Sequence, residues 1–537
     1  MGSLHEVEAF ILLGLAHLSA LNKLALGFTL LTLMLALTAL LFTHSQFNNQ
    51  KLVPNVFVVG GDDAQSIKAN RERFRTQAKE MLEEGYNRTG GGFFYVPSPL
   101  GERLMIPTKY LEELKTAPID HVDFVATFIE VSCNHTFPRF RVCFGNINRT
   151  DEMFEGKYTT MGSRSTLHPR VVKGQLNHHL AEIMPAVQQE IRDAFCDVFP
   201  TCVDWTPIPV VDSLTRIVAR VSSCMFGGTE LSRNKEWVES SISFAIDGFI
   251  AAQKLKGYPE FLKPIVARFI PEIQKIAGHY AAAEAAAIPL LEARRRTGEA
   301  AADLLFWMEK QAINEEHDLK FLASILLKVS FAAIHTSAAA PAQLVYDLCE
   351  RPEYIEPLRE EIRSVADCDG FIDKSGFLGM TKMDSFMKES QRFNPLLLIT
   401  FERVVHRPFT LSSGFTIPAH TTIGIPTQAI TMDKLLYPSP ETFDPFRFSK
   451  LRKEQPEMDG RAQYVSSNSS SLSFGYGRHA CPGRFFAAQE IKAIMAFLLQ
   501  NFDMRFASGQ SRPKSIRVET QFLPDPMATV EFRRRQR

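Results

Sequence analysis

The segment FGYGRHACPG, residues 474–483, decides the fold of this chain. Its glycines allow the backbone to turn tightly and to approach a flat ligand closely. Cys481 stands directly before Pro482, and proline is favoured at the first position of a helix. A helix N-terminus stabilises a thiolate, and a loop-held thiolate is the axial ligand that a ferric haem iron requires. We therefore predict that Cys481 binds the iron of a haem.

The same segment resembles the haem loop of the cytochrome P-450 superfamily, which reads Phe-x-x-Gly-x-Arg-x-Cys-x-Gly. Phe474, Gly477, Cys481 and Gly483 match this pattern, whereas His479 stands in place of the arginine. The resemblance implies heme b as the cofactor, these five residues as its binding loop and Cys481 as the axial ligand. In the family the arginine binds a haem propionate. His479 would do so less strongly, because an imidazole is only partly charged near neutral pH.

Two further motifs of the family lie upstream in the expected order. Glu389 and Arg392, in ESQR, match the Glu-x-x-Arg pair, whose charges share one helix face. Arg447, in FDPFRF, matches the third member of that charge cluster. The resemblance implies that these three residues form a structural cluster that fixes the loop carrying Cys481.

The motif FAAIHTSA, residues 331–338, is similar to the family's sequence on the long helix over the haem. The resemblance assigns Thr336 to oxygen activation and proton delivery. His335 replaces the usual acid; an imidazole can also relay protons, and a core histidine is the equally weighted alternative. Pro341 lacks an N–H group, so we expect a kink beside Thr336 that frees the carbonyl of Ser337.

The region after the N-terminus, residues 51–537, is expected to form one haem-thiolate monooxygenase domain. Its pattern predicts a mainly α-helical fold with a minor β-sheet, as in the cytochrome P-450 fold. The predicted elements are a helix over 64–84 stopped by Gly85, a hairpin over 93–107, helices between 176 and 310, a buried helix over 319–352, β segments over 409–426 and a helix from Pro482.

Residues 1–44 are predicted to form an N-terminal membrane anchor. The 19 residues from Leu24 to Phe42 carry no charge, and as a helix they would span the ~30 Å hydrocarbon core of a bilayer. A signal peptide is the alternative, but its apolar region usually has about 7–15 residues. Basic residues follow from Lys51 onward. The positive-inside rule therefore predicts a single-pass protein of the endoplasmic reticulum membrane with a cytosolic catalytic domain.

The composition excludes several classes of protein. Lys plus Arg and Asp plus Glu each total 60, so no net charge favours nucleic acid. The eight cysteines include no Cys-x-x-Cys pair, which argues against a zinc ribbon and against a disulfide framework.

The resemblance implies a monooxygenase that activates O2 with electrons from an NADPH–cytochrome reductase and oxidises an apolar small molecule. The sequence is similar in style to fungal, membrane-anchored members that act on terpenoids and polyketides of secondary metabolism. A reductase-independent haem-thiolate isomerase or dehydratase is the alternative; such enzymes tend to lack the threonine, so Thr336 favours the monooxygenase. A non-enzymatic haem or partner-binding protein is a third hypothesis, which the presence of both Cys481 and Thr336 disfavours.

One departure from the family concerns the haem propionates. Members often carry Trp-x-x-x-Arg there, whereas this chain reads HPRVVKGQLNHHL over 168–180, so Lys173 or His178 is predicted to substitute. The family pattern also places seven apolar residues around the substrate: Phe331, Leu396, Leu397, Leu398, Ile399, Phe401 and Phe522.

Overall fold

The computed structural model describes residues 52–127, 154–258 and 262–536, together with the isolated positions Phe28, Leu31, Thr32 and Met34. The described residues from Asn55 onward belong to one compact unit. The predicted membrane anchor lies outside the described residues, apart from the four isolated positions, which are helical and exposed.

Helices make up most of the compact unit, which confirms the predicted mainly helical class. The α-helices are α1 (Ala64–Thr89), α2 (Leu111–Thr116), α3 (Gly156–Thr159), α4 (Leu167–Val171), α5 (Leu180–Val198), α6 (Val210–Ser232), α7 (Lys235–Lys256), α8 (Lys263–Val266), α9 (Pro271–Thr297), α10 (Leu304–Gln311), α11 (Leu319–Glu350), α12 (Ile355–Val365), α13 (Lys374–Gly379), α14 (Thr381–Phe393), α15 (Thr427–Thr431), α16 (Arg447–Glu454), α17 (Asp459–Ala462) and α18 (Arg484–Asn501). A π-helical turn, Val172–Leu176, follows α4.

The sheets are small, as predicted. Their strands are β1 (Phe57–Val58), β2 (Phe94–Ser98), β3 (Gly101–Met105), β4 (Val122–Asp123), β5 (Thr206–Pro209), β6 (Thr400–Val405), β7 (Phe409–Thr410), β8 (Thr416–Ile417), β9 (Thr421–Ile425), β10 (Phe502–Arg505), β11 (Ile516–Val518), β12 (Gln521–Leu523) and β13 (Thr529–Arg534). The largest sheet has the order β1-β2-β3-β9-β6-β4, and β10-β13-β5 form a second. β2 and β3 pair antiparallel, with Val96 opposite Arg103, which is the predicted hairpin.

Helix α11 runs through the helical core. It contacts α6, α7, α9, α14 and α18, and these neighbours bury its apolar residues almost all round. Among the described residues it is the one helix long and apolar enough to cross a membrane, and half of its most apolar window is buried in the protein. A helix with that pattern is expected at the centre of a soluble fold. The φ and ψ angles stay helical past Pro341, so the expected kink does not interrupt the helix.

Two predicted helix ends differ from the structure. Helix α1 continues through Gly85 to Thr89 and ends at Gly90, which adopts a φ of 59°. A Cβ on Gly85 would lie 2.3 Å from the ring of Phe94, so the glycine gives β2 room to pack on the helix and does not end it. Helix α18 starts at Arg484 instead of Pro482, with Gly483 as its cap.

Candidate active site

A cavity of about 610 Å³ lies between helix α11 and the loop that carries Cys481. The wall on the α11 side includes Ala332, Ala333 and Thr336, and the opposite wall includes Cys481. The small side chains on α11 leave space for a flat ligand beside the thiol. The cavity therefore brings together the two residues to which the sequence assigned the chemistry.

Backbone geometry holds Cys481 at the start of α18. Its N–H donates a 2.7 Å hydrogen bond to the carbonyl of Phe474, which closes the loop. Burial raises the pKa of the Cys481 thiol, and the N–H groups of Gly483 and Arg484 oppose that rise because they point at the sulfur. These donors would favour the thiolate, which is the form that a metal ion selects.

The turn that precedes Cys481 depends on two glycines. Gly475 and Gly477 have φ values of 72° and 67°, which favour glycine. Gly477 also has no room for a side chain, since a Cβ there would lie 2.7 Å from Lys115. Gly483 differs, because its φ is −88° and a Cβ would meet Val172 only at 3.9 Å. Gly483 lines the cavity, so its missing side chain leaves room for a ligand.

Thr336 faces the cavity, and its Oγ1 donates a 2.8 Å hydrogen bond to the carbonyl of Ala332. His335 points elsewhere. Its Nε2 donates a 3.0 Å hydrogen bond to the carbonyl of Ile242 on α7, and burial lowers the pKa of the imidazole. His335 is not among the residues described as lining the cavity. Its proton-relay role stays a prediction, and its contacts are those of a core histidine.

Three cations line the edge of the cavity around His479: Lys173, Arg403 and Arg478. Among the described residues, none of the three forms an ion pair with a carboxylate. Lys173 donates to the carbonyl of Arg478 at 3.2 Å, and Arg478 donates to the carbonyl of Ala117. Burial, together with the charge of Arg478, lowers the pKa of Arg403 to about 9. Uncompensated cations at this edge fit an anionic group of the cavity's ligand, such as the propionates of a haem.

The His479 imidazole has a pKa below its usual range. Burial and the charges of Arg403 and Arg478 lower the pKa of the imidazole to about 4, and its ring lies 5.0 Å from that of Phe124 between centroids. This lowered pKa opposes the partial charge expected for His479, whose contact with a propionate stays a prediction. Of the two predicted substitutes for the missing Trp-x-x-x-Arg, Lys173 lines the cavity, whereas His178 bonds the carbonyl of Gly174 at 2.7 Å.

Sequence reasoning missed Arg403 and Arg478 as site residues. Arg478 is adjacent to His479 within the haem-loop motif, so its position carried a signal. Arg403 lies in β6 next to Glu402, and only the structure shows that it is buried, at 4% exposure, so the sequence held no signal for it.

The structure brings Glu389, Arg392 and Arg447 together. Arg392 donates to both oxygens of Glu389, at 2.8 and 3.0 Å, and Arg447 donates to Oε1 at 3.3 Å. The same guanidinium groups also donate to backbone carbonyls of the loop before α16, including Pro440 and Thr442. The cluster therefore ties α14 to the segment between α15 and α16.

The connection from this cluster to the haem loop runs through two residues that the sequence did not single out. The ring of Tyr437 lies 5.5 Å from the Arg392 guanidinium, and its hydroxyl donates to the carbonyl of Ser470 at 2.8 Å. Lys388, next to Glu389, donates to the carbonyl of Gln463 at 2.7 Å and to Ser471 at 3.2 Å. Both contacts hold the segment that leads into Phe474.

The rest of the cavity wall is mostly apolar. Of the seven residues predicted around the substrate, the following line the cavity: Leu396, Leu397, Ile399, Phe401 and Phe522. Leu398 is fully packed in the core beside α1, and Phe331 packs edge-on against Phe154 at 5.2 Å. An apolar wall with few polar groups is typical of a small-molecule site.

Comparison with known proteins identifies the family. The family Cytochrome P450 matches residues 127–530. The cytochrome P450 monooxygenase braC of Annulohypoxylon truncatum is 35% identical over 90% of this chain and 92% of its own length. The ent-kaurene oxidase of Gibberella intermedia is 31% identical over 87% of this chain and 85% of its own length.

A solved structure of the same family has a similar fold. The solved structure of retinoic acid bound cyanobacterial CYP120A1 superposes with a TM-score of 0.61, covering 84% of this chain and 94% of that one at 17% identity. That likeness concerns the fold alone, and the sequence relatives carry the activity class. The chain belongs to the cytochrome P450 family and is a haem-thiolate monooxygenase that uses O2.

Proposed function

We propose that this enzyme holds heme b through Cys481 and uses electrons from an NADPH–cytochrome reductase to oxidise an apolar small molecule. One observation carries the proposal: Cys481 and Thr336, which lie far apart in the sequence, line a single apolar cavity. When bound, a thiolate-ligated haem supplies the redox chemistry that activates O2. The remaining steps fall to side chains of this chain.

Two sets of groups would hold the haem. The N–H groups of Gly483 and Arg484 would stabilise the Cys481 thiolate. Lys173, Arg403 and Arg478 would bind the propionates, because none of the three forms an ion pair with a carboxylate among the described residues. Charge-assisted bonds of this kind are stronger than those between neutral groups. His479 lines the cavity beside these cations.

Thr336 controls proton delivery in this proposal. Its hydroxyl is held by the Ala332 carbonyl at 2.8 Å and lies at the cavity surface, so a small rotation would direct the proton into the cavity. Apolar residues around it exclude bulk water. Without the hydroxyl, protons would arrive at random, and reduced oxygen would leave as hydrogen peroxide.

The substrate class follows from the wall and the relatives. The wall beside the haem site is mostly apolar, and an ent-kaurene oxidase is among the relatives. A terpenoid or polyketide intermediate of secondary metabolism fits both facts. We further propose that residues 1–44 anchor the enzyme in the endoplasmic reticulum membrane, with the catalytic domain in the cytosol.

Reconstitution with a purified reductase tests the proposal. NADPH and O2 should be consumed together in a substrate-dependent manner, and omission of the reductase should abolish turnover. A reductase-independent isomerase or dehydratase would convert substrate without either consumption. A haem protein without enzymatic activity would convert nothing, whatever partner was added.

A Thr336→Ala variant tests the role of the threonine hydroxyl directly, through the amount of product formed per NADPH. The variant should bind haem and substrate normally, yet form severalfold less product per NADPH, with hydrogen peroxide making up the difference. Ser330→Ala is the matched control, because Ser330 donates to the carbonyl of Leu327 at 2.7 Å on the same helix and is fully buried. Full coupling in Thr336→Ala would contradict the role given to this hydroxyl.

A further inference from the structure

A lysine on α11 lines the cavity and forms no ion pair within the part of the chain that the structure describes. Lys328 lies on the same stripe of α11 as Ala332 and Thr336, and all three line the cavity. Burial lowers the pKa of its ammonium group, and among the described residues no carboxylate forms an ion pair with it. Its nearest recorded partner is the ring of Tyr280, 5.9 Å from Nζ. A partly buried cation without an anion is unfavourable, so an anionic ligand would stabilise it.

A second polar group lies close to Lys328. His168, on α4, lines the same cavity, and its Nδ1 is buried without a hydrogen-bond partner among the described residues. Burial, together with the charge of Lys328, lowers the pKa of His168 to about 4. The ring is therefore neutral at physiological pH and can donate one N–H. A buried polar atom without a partner calls for one, and a ligand in the cavity could supply it.

This pair is distinct from the cations assigned to the haem propionates. The cations that act on His479 are Arg403, Arg478 and Lys173, with Asp123 opposing them, whereas the cation that acts on His168 is Lys328. Lys328 also precedes Thr336 by two helical turns, a rise of about 12 Å along α11. The cavity thus has two electropositive regions, one around His479 and one towards the N-terminal half of α11.

We propose that Lys328 and His168 bind a carboxylate of the substrate, so that the substrate is an apolar carboxylic acid. The ammonium group would form the ion pair, and the imidazole N–H would bond the second oxygen. The apolar body would then extend about 12 Å along α11 towards Thr336. This inference rests on the proposed function, since it places the oxidised end of the acid beside Thr336.

Ligand binding tests the inference without turnover. The holoenzyme is titrated with decanoic, dodecanoic, tetradecanoic and hexadecanoic acid and with their methyl esters, and the Soret shift gives each Kd. We expect at least one acid to bind about tenfold more tightly than its ester. Lys328→Met should remove that preference while leaving ester binding unchanged, and Lys328→Arg should retain it. Methionine is of similar length and apolar, so the variant should fold.

Lys320→Met is the matched control, because Lys320 lies on the same helix, is 71% exposed and pairs with Glu284 at 3.6 Å. It should keep the preference for the acid. Bound acid should also protect Lys328, but not Lys320, from reductive methylation read by mass spectrometry.

Several results would contradict the proposed carboxylate site. Equal binding of every acid and its ester, no binding of any acid, or a preference that survives Lys328→Met would overturn the inference. Loss of haem in Lys328→Met would make this lysine a haem contact and would overturn it as well. The reduced carbon monoxide spectrum of the unchanged enzyme separates these results from a failure of the proposed function. Without a thiolate-type Soret band there, the haem assignment itself would fall.

Discussion

At the residue scale, the chemistry of this enzyme depends on the burial and hydrogen-bond donors around individual polar groups. Cys481 has backbone N–H groups directed at its sulfur. Burial raises the thiol pKa of Cys349 to about 12, although the charge of Arg512 opposes the rise. Burial raises the pKa of both thiols, but only Cys481 has donors that oppose the rise and lies in a cavity wall. The same residue type is thus a candidate metal ligand in one place and an inert core residue in the other.

Cys481→Ser should abolish the haem-thiolate signature, because a serine hydroxyl is not ionised near neutral pH and is a poor iron ligand. The measurement is the Soret position of the reduced carbon monoxide complex. Cys349→Ser is the control and should leave the band unchanged. A thiolate-type band that persisted in Cys481→Ser would show that another residue is the ligand.

At the scale of elements, buried charges join helices to the loops that shape the site. The cluster of Glu389, Arg392 and Arg447 holds the segment between α15 and α16 to α14. Elsewhere, Glu490 on α18 is completely buried and accepts a 2.9 Å hydrogen bond from Ser222 on α6. Burial raises the pKa of Glu490 to about 8, although the hydroxyls of Ser222 and Ser337 oppose the rise.

Glu389→Gln should destabilise the enzyme and impair haem retention, since it leaves two arginines without their buried counter-charge. Breaking such a pair typically costs about 3–5 kcal/mol. Denaturant unfolding and the thiolate Soret band measure the two effects. Glu356→Gln removes an exposed partner of Arg363 and should change stability by less than about 0.5 kcal/mol. Similar behaviour of the two variants would mean that the cluster has no structural role.

Glu490→Gln should have an effect that grows with pH. In the unfolded chain this carboxyl is ionised above its ordinary pKa of 4.5, but in the folded protein it keeps its proton up to about pH 8. The stability contributed by the protonated form is complete below the lower value and is lost as the pH rises through the higher one. A neutral glutamine avoids that loss. Relative to the unchanged enzyme, the free energy of unfolding of the variant should therefore rise by on the order of 1 kcal/mol per pH unit between the two pKa values. The measurement is the Tm of both proteins at several pH values. A difference in Tm that did not change with pH would show that Glu490 is ionised when buried.

At the scale of the whole molecule, the proposed anchor and the catalytic unit have separate tasks. The cavity, the cationic edge and the charge cluster all lie within the unit that begins at Asn55. We expect deletion of residues 1–44 to release most of the protein from membranes while haem binding stays intact. Membrane fractionation and the carbon monoxide spectrum measure the two properties. Full membrane retention of the truncated chain, or a full-length chain found soluble, would contradict the anchor.

The haem loop, the long helix and the helical class could be predicted from the sequence because their signals are local. Turn glycines, a cysteine before a helix and the unbroken apolar pattern of α11 involve residues that are neighbours in the chain. The end of α1 was predicted wrongly at Gly85, because the reason for that glycine is the ring of Phe94 on another element. Propensity alone does not contain such a contact.

The tertiary structure alone decided which charges share the cavity. Arg478 is next to His479 in the chain, but Arg403 comes from β6 and Lys173 from the π-helical turn, and only folding places these two around His479. The same holds for Lys328 and His168. Burial and charge act through space, so the lowered pKa of His479 depends partly on Arg403 and Lys173, which are far away in the chain. The sequence by itself determined the chemistry of this enzyme, whereas the tertiary structure decided the electrostatics of its cavity.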